Sequence, residues 1–471
     1  MMAQRSTLLI TLVTALMMSL PIYAQSTSVL TAGLKAPNKI QLTDGGRLVV
    51  AESGTGKQDG RISIIDRCGN RRTVLDGLPS GFAPPNNDAS GPAGIALRGQ
   101  TMFITIGGGD ATVNGPAPGT EIPNPNGPSA PIFSSILQVD FTSGPLDSYK
   151  NSFLLVPVDY TTLKNGTSLS RQNGLDTITV KLLADFPDFT SDPFTIARTS
   201  NPFAVAVDGN QLYVADASQN LVRKVDTATG AFSTLKAFAP LTNPLPFGPP
   251  VVDAVPDGIR LFGDKLLVTF LTGFPFAPGR AEVRSVATAT GSDATFIGGL
   301  STAIDVLPAK TLTGADQFFV LEISSNFLAQ APGRLLRFDT TTGPPVVLAN
   351  NLIGPVGLAR DAKSGDIFIT ENFTGRIIQI PGTQFDAELR DGATGDTLRF
   401  STLTGDYIYT GCSTGGTMLT GRGQITLQGC TVRLVDGTRV VAVLNNCVGN
   451  EGNARIRLTP FGPVLLIRDR R

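Results

Sequence analysis

Beyond the first two dozen residues, apolar positions come in runs of five to seven, rich in Val, Ile, Leu and Phe and bounded by Gly, Asn, Asp or Pro. Such runs predict strands separated by turns. No 3.6-residue periodicity is sustained there, so a helical reading fails. The runs also recur. Pro, a small residue and a branched apolar one open a first strand in PNKIQL from Pro37, PAGIAL from Pro92, PFAVAV from Pro202, PDGIRL from Pro256 and PVGLAR from Pro355, with a degenerate copy, STAIDV, at Ser301. A second strand follows each, as RLVVAES, TMFITIG, QLYVADA, KLLVTFL, QFFVLEI and DIFITEN. A third follows as GRISIID from Gly60, SSILQVD from Ser134, NLVRKVD from Asn220, GRAEVRSV from Gly279, GRLLRFD from Gly333 and GRIIQI from Gly375. A fourth appears in RTVLDGL, FSTLKAF, ATFIGGL and PVVLANNL. Four strands per unit at roughly 45–55-residue spacing is the pattern of a propeller blade. Six copies predict an all-β, six-bladed β-propeller over residues 25–383. The gap from Pro92 to Pro202 is twice the others and reads as blade two with an insertion, about 141–200, carrying a strand-like run, SFLLVPVDY.

The sixth unit lacks a fourth strand, because QFDAELRDG after it reads as a linker. The start of the mature chain supplies a spare one. SVLTAGLKAPNKI, from Ser28, matches VVLANNLIGPVGL, from Val346, which is a fourth strand leading into a first. Ser28–Thr31 is therefore expected to pair with Gly375–Ile380 and close the ring, covering an otherwise open edge. From residue 384 to 471 the pattern changes to clean alternation in DTLRFST, DYIYTG, GQITLQG, TVRLVD, RVVAVLN, ARIRLT and VLLIRDR. That predicts an antiparallel meander of about seven strands, a small β-sandwich or barrel.

The units NLVRKVD, LLVTFLTGFPFAPGRAEVRSV and STAIDVLP…FFVLEISSN resemble the ScyD/ScyE-type β-propellers and, more loosely, NHL-type and TolB-like six-bladed propellers. The likeness covers about residues 34–380, and its most specific parts are Leu271–Gly279 and Ser301–Ile323. It implies an exported six-bladed propeller and no settled activity.

Composition narrows the chemistry. With 52 Gly and 33 Pro in 471 residues the chain is turn-rich, and at 16% charged it is charge-poor. Lys+Arg and Asp+Glu are 38 each, so no basic excess exists to draw nucleic acid or an anionic membrane. There is no His, which excludes Ser-His-Asp and Cys-His catalysis, His-ligated zinc and His-ligated haem, and no Trp. Arg5, the apolar run Leu8–Leu20 and the small-residue site before Gln25 read as a signal peptide over residues 1–24. Export to the periplasm, envelope or medium is the expectation, with no later stretch long enough to span a membrane. Disulfides are then permitted. Cys430, at the turn before TVRLVD, and Cys447, after RVVAVLN, are expected to pair at one end of the meander. Cys68 and Cys412 are left without an assigned partner.

In a four-stranded blade, the loops from strand four to the next strand one share a face with those from strand two to strand three. That face collects the long loops Pro79–Gly91, Gly107–Pro131, Phe238–Val255, Leu271–Gly279 and Ile323–Gly333. Tight turns dominate the other, apart from Phe141–Thr179 and Pro308–Asp316. Long loops on a rigid scaffold carry function, so the loop-rich face is the candidate binding face. The glycines of Gly107–Gly119 lack the following Lys-Ser/Thr and helix of a phosphate loop, and read as a flexible rim. The end of strand two reads Glu52, Ile106, Asp216, Phe270, Glu322 and Glu371. Symmetry brings Glu52, Asp216, Glu322 and Glu371 round one axis, where Asp257 and Asp305 from strand one join them. Without His, such oxygen donors suit a hard cation such as Ca²⁺. Equally, Arg61, Arg280, Arg334 and Arg376, which recur after Gly, make Glu52–Arg61 and Glu371–Arg376 natural ion pairs across hairpins.

Two functions follow. One is a non-catalytic binding or scaffold propeller that holds a small molecule, glycan or protein on its loop-rich face. The other is a lactonase- or gluconolactonase-like hydrolase with an axial Ca²⁺ and a carboxylate base.

Overall fold

The computed structural model describes residues 27–456 apart from 118–119, 191–196, 312, 386, 392, 402, 429–430, 446, 449–450 and 453–454. The signal-peptide segment, the VLLIRDR run and Cys430 lie outside the described residues, so the Cys430–Cys447 pairing does too.

Six antiparallel sheets carry the repeat, each built from an inner, second, third and outer strand. Sheet one is Pro37–Leu42, Leu48–Glu52, Gly60–Ile65 and Arg71–Leu78; sheet two is Pro92–Arg98, Thr101–Ile106, Ser135–Phe141 and Asp176–Asp185. Sheet three is Pro202–Asp208, Gln211–Asp216, Leu221–Asp226 and Phe232–Ala237; sheet four is Pro256–Phe262, Lys265–Phe270, Ala281–Ala287 and Asp293–Leu300. Sheet five is Ala303–Lys310, Asp316–Glu322, Gly333–Phe338 and Val346–Leu352. Sheet six is Pro355–Arg360, Ile367–Glu371, Arg376–Ile380 and, as its outer strand, Ser28–Thr31. The inner strands touch one another in chain order, and the sixth touches the first. This ring is a β-propeller.

In three copies the glycine two places after the leading Pro has a packing cause. A Cβ on Gly94 would lie 2.9 Å from Ala204 Cα, one on Gly258 2.9 Å from Asp305 Cα, and one on Gly357 3.0 Å from Lys39 Cα. Neighbouring inner strands cross too closely there for a larger side chain. The apolar core is correspondingly radial. Six clusters fill the six gaps between neighbouring sheets, as where Ile95 meets Ile62, or Ala359 and Phe368 meet Ile40 and Val50. Burial on both faces explains why the second strands read as continuous apolar runs instead of alternating.

The ring closes as its sequence match implies. Ser28 pairs with Gln379, Val29 with Ile378 and Thr31 with Ile377, and Leu34 N donates to Gly375 O at 3.0 Å.

Both large additions sit on the turn face, opposite the long loops. The insertion in sheet two differs from its reading as a strand. Only Phe153–Leu154 is extended, parallel to the outer strand of sheet one, and Pro157–Lys164 is an α-helix. Pro157 pre-sets the first helical φ, and Asp159 accepts from Val156 N at 3.0 Å, two start signals that outweigh the apolar run. Leu169–Asn173 then adds a fifth strand to sheet two. Asp147 ties the insertion to sheet one, accepting from Thr43 Oγ1 at 2.8 Å and Gly45 N at 3.1 Å.

The segment read as a linker contains a strand, Ala387–Arg390, paired with Thr397–Phe400. Its alternation is short but complete, with Ala387 and Leu389 buried and Glu388 and Arg390 exposed. Asp406–Gly411 and Thr417–Arg422 extend this sheet, and Arg455–Ile456 returns to its far edge beside Ala387, so the sheet is not a plain meander. Gln424–Gln428, Thr431–Asp436 and Arg439–Asn445 form a second sheet. Leu389, Leu398 and Tyr407 from one meet Val432, Leu434, Ala442 and Leu444 from the other in a shared core, as in a sandwich. The opposite, polar face of the first sheet meets the propeller. There Arg399 grips Asp366 with two nitrogens, Arg67 pairs with Asp361 while lying over Phe368, and Cys68 is joined to Cys412. A polar cavity of about 240 Å³ remains between the two parts.

Candidate functional site

The four carboxylates at the ends of second strands share one local design. Each second strand ends opposite the first residue of its inner strand, pairing Pro37 with Glu52, Pro202 with Asp216, Ala303 with Glu322 and Pro355 with Glu371. All four therefore point to the loop-rich face, one strand out from the axis. Glu52 accepts from Arg61 Nη2 at 2.7 Å, from Lys35 N at 2.5 Å and from Ser63 Oγ. Asp216 accepts from Arg223 Nε, Ser200 Oγ and Asn201 N, each at 2.9 Å. Glu322 pairs with Arg334 and accepts from Ser301 N at 2.8 Å. Glu371 takes Arg376 Nη2 at 2.6 Å, Ile353 N at 2.8 Å and Thr374 Oγ1 at 2.8 Å. Each carboxylate thus staples three segments: the end of its second strand, the start of its third and the loop entering its inner strand. They do not converge on a shared point. Among the described residues, no group of three or more acidic, Cys or His side chains is placed to hold a metal ion.

Of the arginines that follow Gly, three make these pairs. Arg280 does not, because sheet four ends its second strand in Phe270, and Arg280 Nε donates to Thr242 O at 2.8 Å instead. In sheet three the arginine is Arg223, the fourth residue of NLVRKVD, and a Gly-Arg rule passes over it.

The ring interior holds a different set of charges. Lys39, from the inner strand of sheet one, reaches across it. Its Nζ donates to Ile304 O at 2.7 Å and Val356 O at 3.0 Å, lies 3.8 Å from Asp305 Oδ2, and sits 5.2 Å from the centre of the Phe203 ring. Arg260, from sheet four, donates to Asp305 Oδ2 at 2.9 Å and to Leu358 O at 2.8 Å. Asp257 is 4% exposed, and among the described residues its Oδ2 has no hydrogen-bond partner. Burial drives the Asp257 carboxyl up to about 7, with Lys39 opposing, and burial lowers the Lys39 ammonium, with Asp305 and Asp257 opposing. Asp257 and Asp305 thus join Lys39 and Arg260, and not the four outer carboxylates. Sequence reading missed both cations. Their signal was a basic residue inside a first strand, in PNKI and PDGIRL, where no other copy carries a basic residue at the same place.

An oxygen-ligated ion needs converging donors with free lone pairs. Here the carbonyls of Ile304 and Val356 and the carboxylate of Asp305 converge, and the Lys39 ammonium already fills the point between them. The donor set does not fit a Ca²⁺ beside it.

Among the described residues, the loop-rich face carries most of the exposed phenylalanines, whereas the exposed Leu154, Val156, Val158 and Leu175 lie in the insertion on the other face. Phe82, Phe247, Phe274, Phe327, Leu328, Ile353 and Phe373 all lie in its loops. Within the loop read as a flexible rim, Thr112–Asn114 pairs with Glu121–Pro123 in a hairpin of its own.

No protein-family model matches the chain, and no curated protein matches it. Solved structures do, and those with the following three titles are β-propeller proteins. "Streptogramin B lyase structure" is 13% identical, covers 75% of this chain and 96% of its own, and has a TM-score of 0.38. The PQQ-bound aldose sugar dehydrogenase from Streptomyces coelicolor is 13% identical, covers 75% and 97%, and has a TM-score of 0.43. The nidogen/laminin complex is 10% identical, covers 78% and 91%, and has a TM-score of 0.36. These neighbours include two enzymes and a binding protein, and at such identities none lends this chain its chemistry.

Proposed function

We propose that the protein is an exported propeller of the ScyD/ScyE type that acts as a non-catalytic binding or scaffold module through its loop-rich face. One observation carries the reading: most of the exposed phenylalanines, Phe82, Phe247, Phe274, Phe327 and Phe373, gather in the loops of that face, while the insertion and the C-terminal sheets cover parts of the other. Exposed apolar patches on a rigid scaffold mark interaction sites. Export is supported by the apolar segment before Gln25 and by the Cys68–Cys412 disulfide, which an oxidising compartment favours.

The alternative, a hydrolase with an axial Ca²⁺, is weakened by Lys39, whose charge stands where the ion would go, and by the ion pairs that occupy the four outer carboxylates. The test is elemental analysis of the purified mature chain, thermal unfolding with and without chelator, and a lactone-hydrolysis assay. The expected result is no stoichiometric calcium, an unchanged melting temperature in EDTA and no turnover. Bound calcium together with a chelator-induced fall in melting temperature would return the hydrolase to first place.

A further inference from the structure

The polar cavity of about 240 Å³ between the propeller and the C-terminal sheets is walled by both parts. It has room for several waters, each about 30 Å³, or for one small molecule. Four segments contribute: the ring-closing strand with Ser28, the sheet-one turn with Arg67, the start of the second strand of sheet six with Asp366, and the first C-terminal sheet with Glu388, Arg390 and Arg399. Three cations, Arg67, Arg390 and Arg399, thus share its wall with two carboxylates, Asp366 and Glu388.

The hydrogen bonds round the cavity leave donors in excess. Arg399 gives both terminal nitrogens to Asp366, which also accepts from Gly382 N at 2.8 Å and Gln379 Nε2 at 3.3 Å, so that carboxylate is saturated. Glu388 stands half out in solvent. Arg67 differs. Its side chain is 7% exposed and its Nη2 pairs with Asp361, but among the described residues its Nε and Nη1 have no hydrogen-bond partner. Burial lowers the Arg67 guanidinium, with Asp361 and Asp366 opposing, whereas Asp366 holds Arg399 above its usual value against burial. Arg67 is therefore short of both acceptors and negative charge.

A planar fork of N–H donors is complemented by a group that brings several oxygens and a negative charge. A neutral polyol brings donors of its own with its acceptors, and a cation meets three arginines. We propose that the interdomain cavity is a binding site for a small oxyanion, a phosphate or a carboxylate, with Arg67 as its principal donor and Arg390 and Arg399 as further positive charges in the wall. An oxyanion held there touches the ring-closing strand and the C-terminal sheet together, so its binding clamps the seam between them. The cavity lies on the turn face, so this site is separate from the loop-rich face, and the failure of either reading leaves the other standing.

The test is calorimetric titration of the mature chain with inorganic phosphate, acetate and chloride at matched ionic strength. The expected result is one saturable site per chain for an oxyanion and none for chloride, and whichever of phosphate and acetate binds tighter names the class. Arg67→Lys keeps a charge for Asp361 and loses the fork, so its dissociation constant is expected to rise about tenfold or more. Arg422→Lys, at an exposed arginine outside the cavity wall, is expected to bind like wild type. The bound oxyanion is also expected to slow hydrogen exchange in residues 28–31. Circular dichroism checks that Arg67→Lys folds. If it does not, Ser28→Tyr narrows the cavity from its exposed edge, leaves the Arg67–Asp361 and Arg399–Asp366 pairs in place, and is expected to weaken binding as well. No saturable oxyanion binding, chloride bound as tightly as the oxyanion, or a folded cavity variant that binds like wild type overturns the site.

Discussion

Cys68 and Cys412, separated by 344 residues, are joined by a disulfide with their Cα atoms 5.6 Å apart. Cys68 lies in the turn between the third and outer strands of sheet one, and Cys412 follows the third strand of the first C-terminal sheet. The bond therefore ties the end of the chain to the sheet next to the one its beginning completes. Ser28, Val29 and Leu30 line the same interdomain cavity as Cys68 and Cys412. The C-terminal sheets thus sit against the seam where the ring closes.

Removing this tie with Cys68→Ser and Cys412→Ser should cost about 2–5 kcal/mol. Limited proteolysis should cut first near residues 381–386, where the chain leaves sheet six. Unchanged denaturation and cleavage would mean that Arg399–Asp366 and the polar face hold the two parts together unaided.

Deleting residues 25–33 should destabilise the whole propeller, although the segment looks like a disposable leader. It removes the outer strand of sheet six and exposes the third strand's edge. The check is the melting temperature by circular dichroism, where a fall of several degrees or more, or aggregation on expression, is expected. A deletion variant that melts like wild type would show that sheet six does not need its fourth strand.

Asp216→Ala should be costly, about 3–5 kcal/mol by urea unfolding, because it leaves Arg223 charged and nearly buried. Arg280→Ala should change stability by less than about 0.5 kcal/mol, since among the described residues that side chain bonds the Thr242 carbonyl and no acid. Similar costs for the two would contradict the division between stapling and non-stapling arginines.

Stability should fall as pH rises from about 4 to about 7. Asp257 keeps its proton in the folded state up to about 7, whereas the unfolded chain releases it near 3.8. Its contribution is full below the unfolded value and is lost as pH climbs through the folded one, by at most about 4 kcal/mol. Asp257→Asn removes this titration, so the stability of wild type relative to the variant should decline between pH 4 and pH 8. A difference that stays flat across that range would show that Asp257 is not held protonated.

The Pro-led repeat, the strand lengths and the ring-closing match of Ser28 to Val346 were all legible in the chain. They are properties of single units, and a unit needs the same strand pattern wherever it sits. The Glu52–Arg61 and Glu371–Arg376 pairs were legible for the same reason, since antiparallel register places their partners opposite each other. The helix at Pro157 and the strand at Ala387 were misread, because in short segments a start signal or two alternating residues compete with local hydrophobicity.

Tertiary structure alone decided the ring interior and the seam. Lys39 comes to Ile304 and Val356, and Arg260 to Asp305, only because the inner strands of sheets one, four, five and six face one axis. No spacing along the chain encodes that meeting. Cys68 and Cys412 likewise find each other only after the C-terminal sheet turns its polar face to the propeller. The sequence by itself determined the strands, their order and the local pairs, which follow from hydrophobic period and hairpin register. Contacts between units depend on how the closed ring sets them side by side, and only the closed ring brings those residues together.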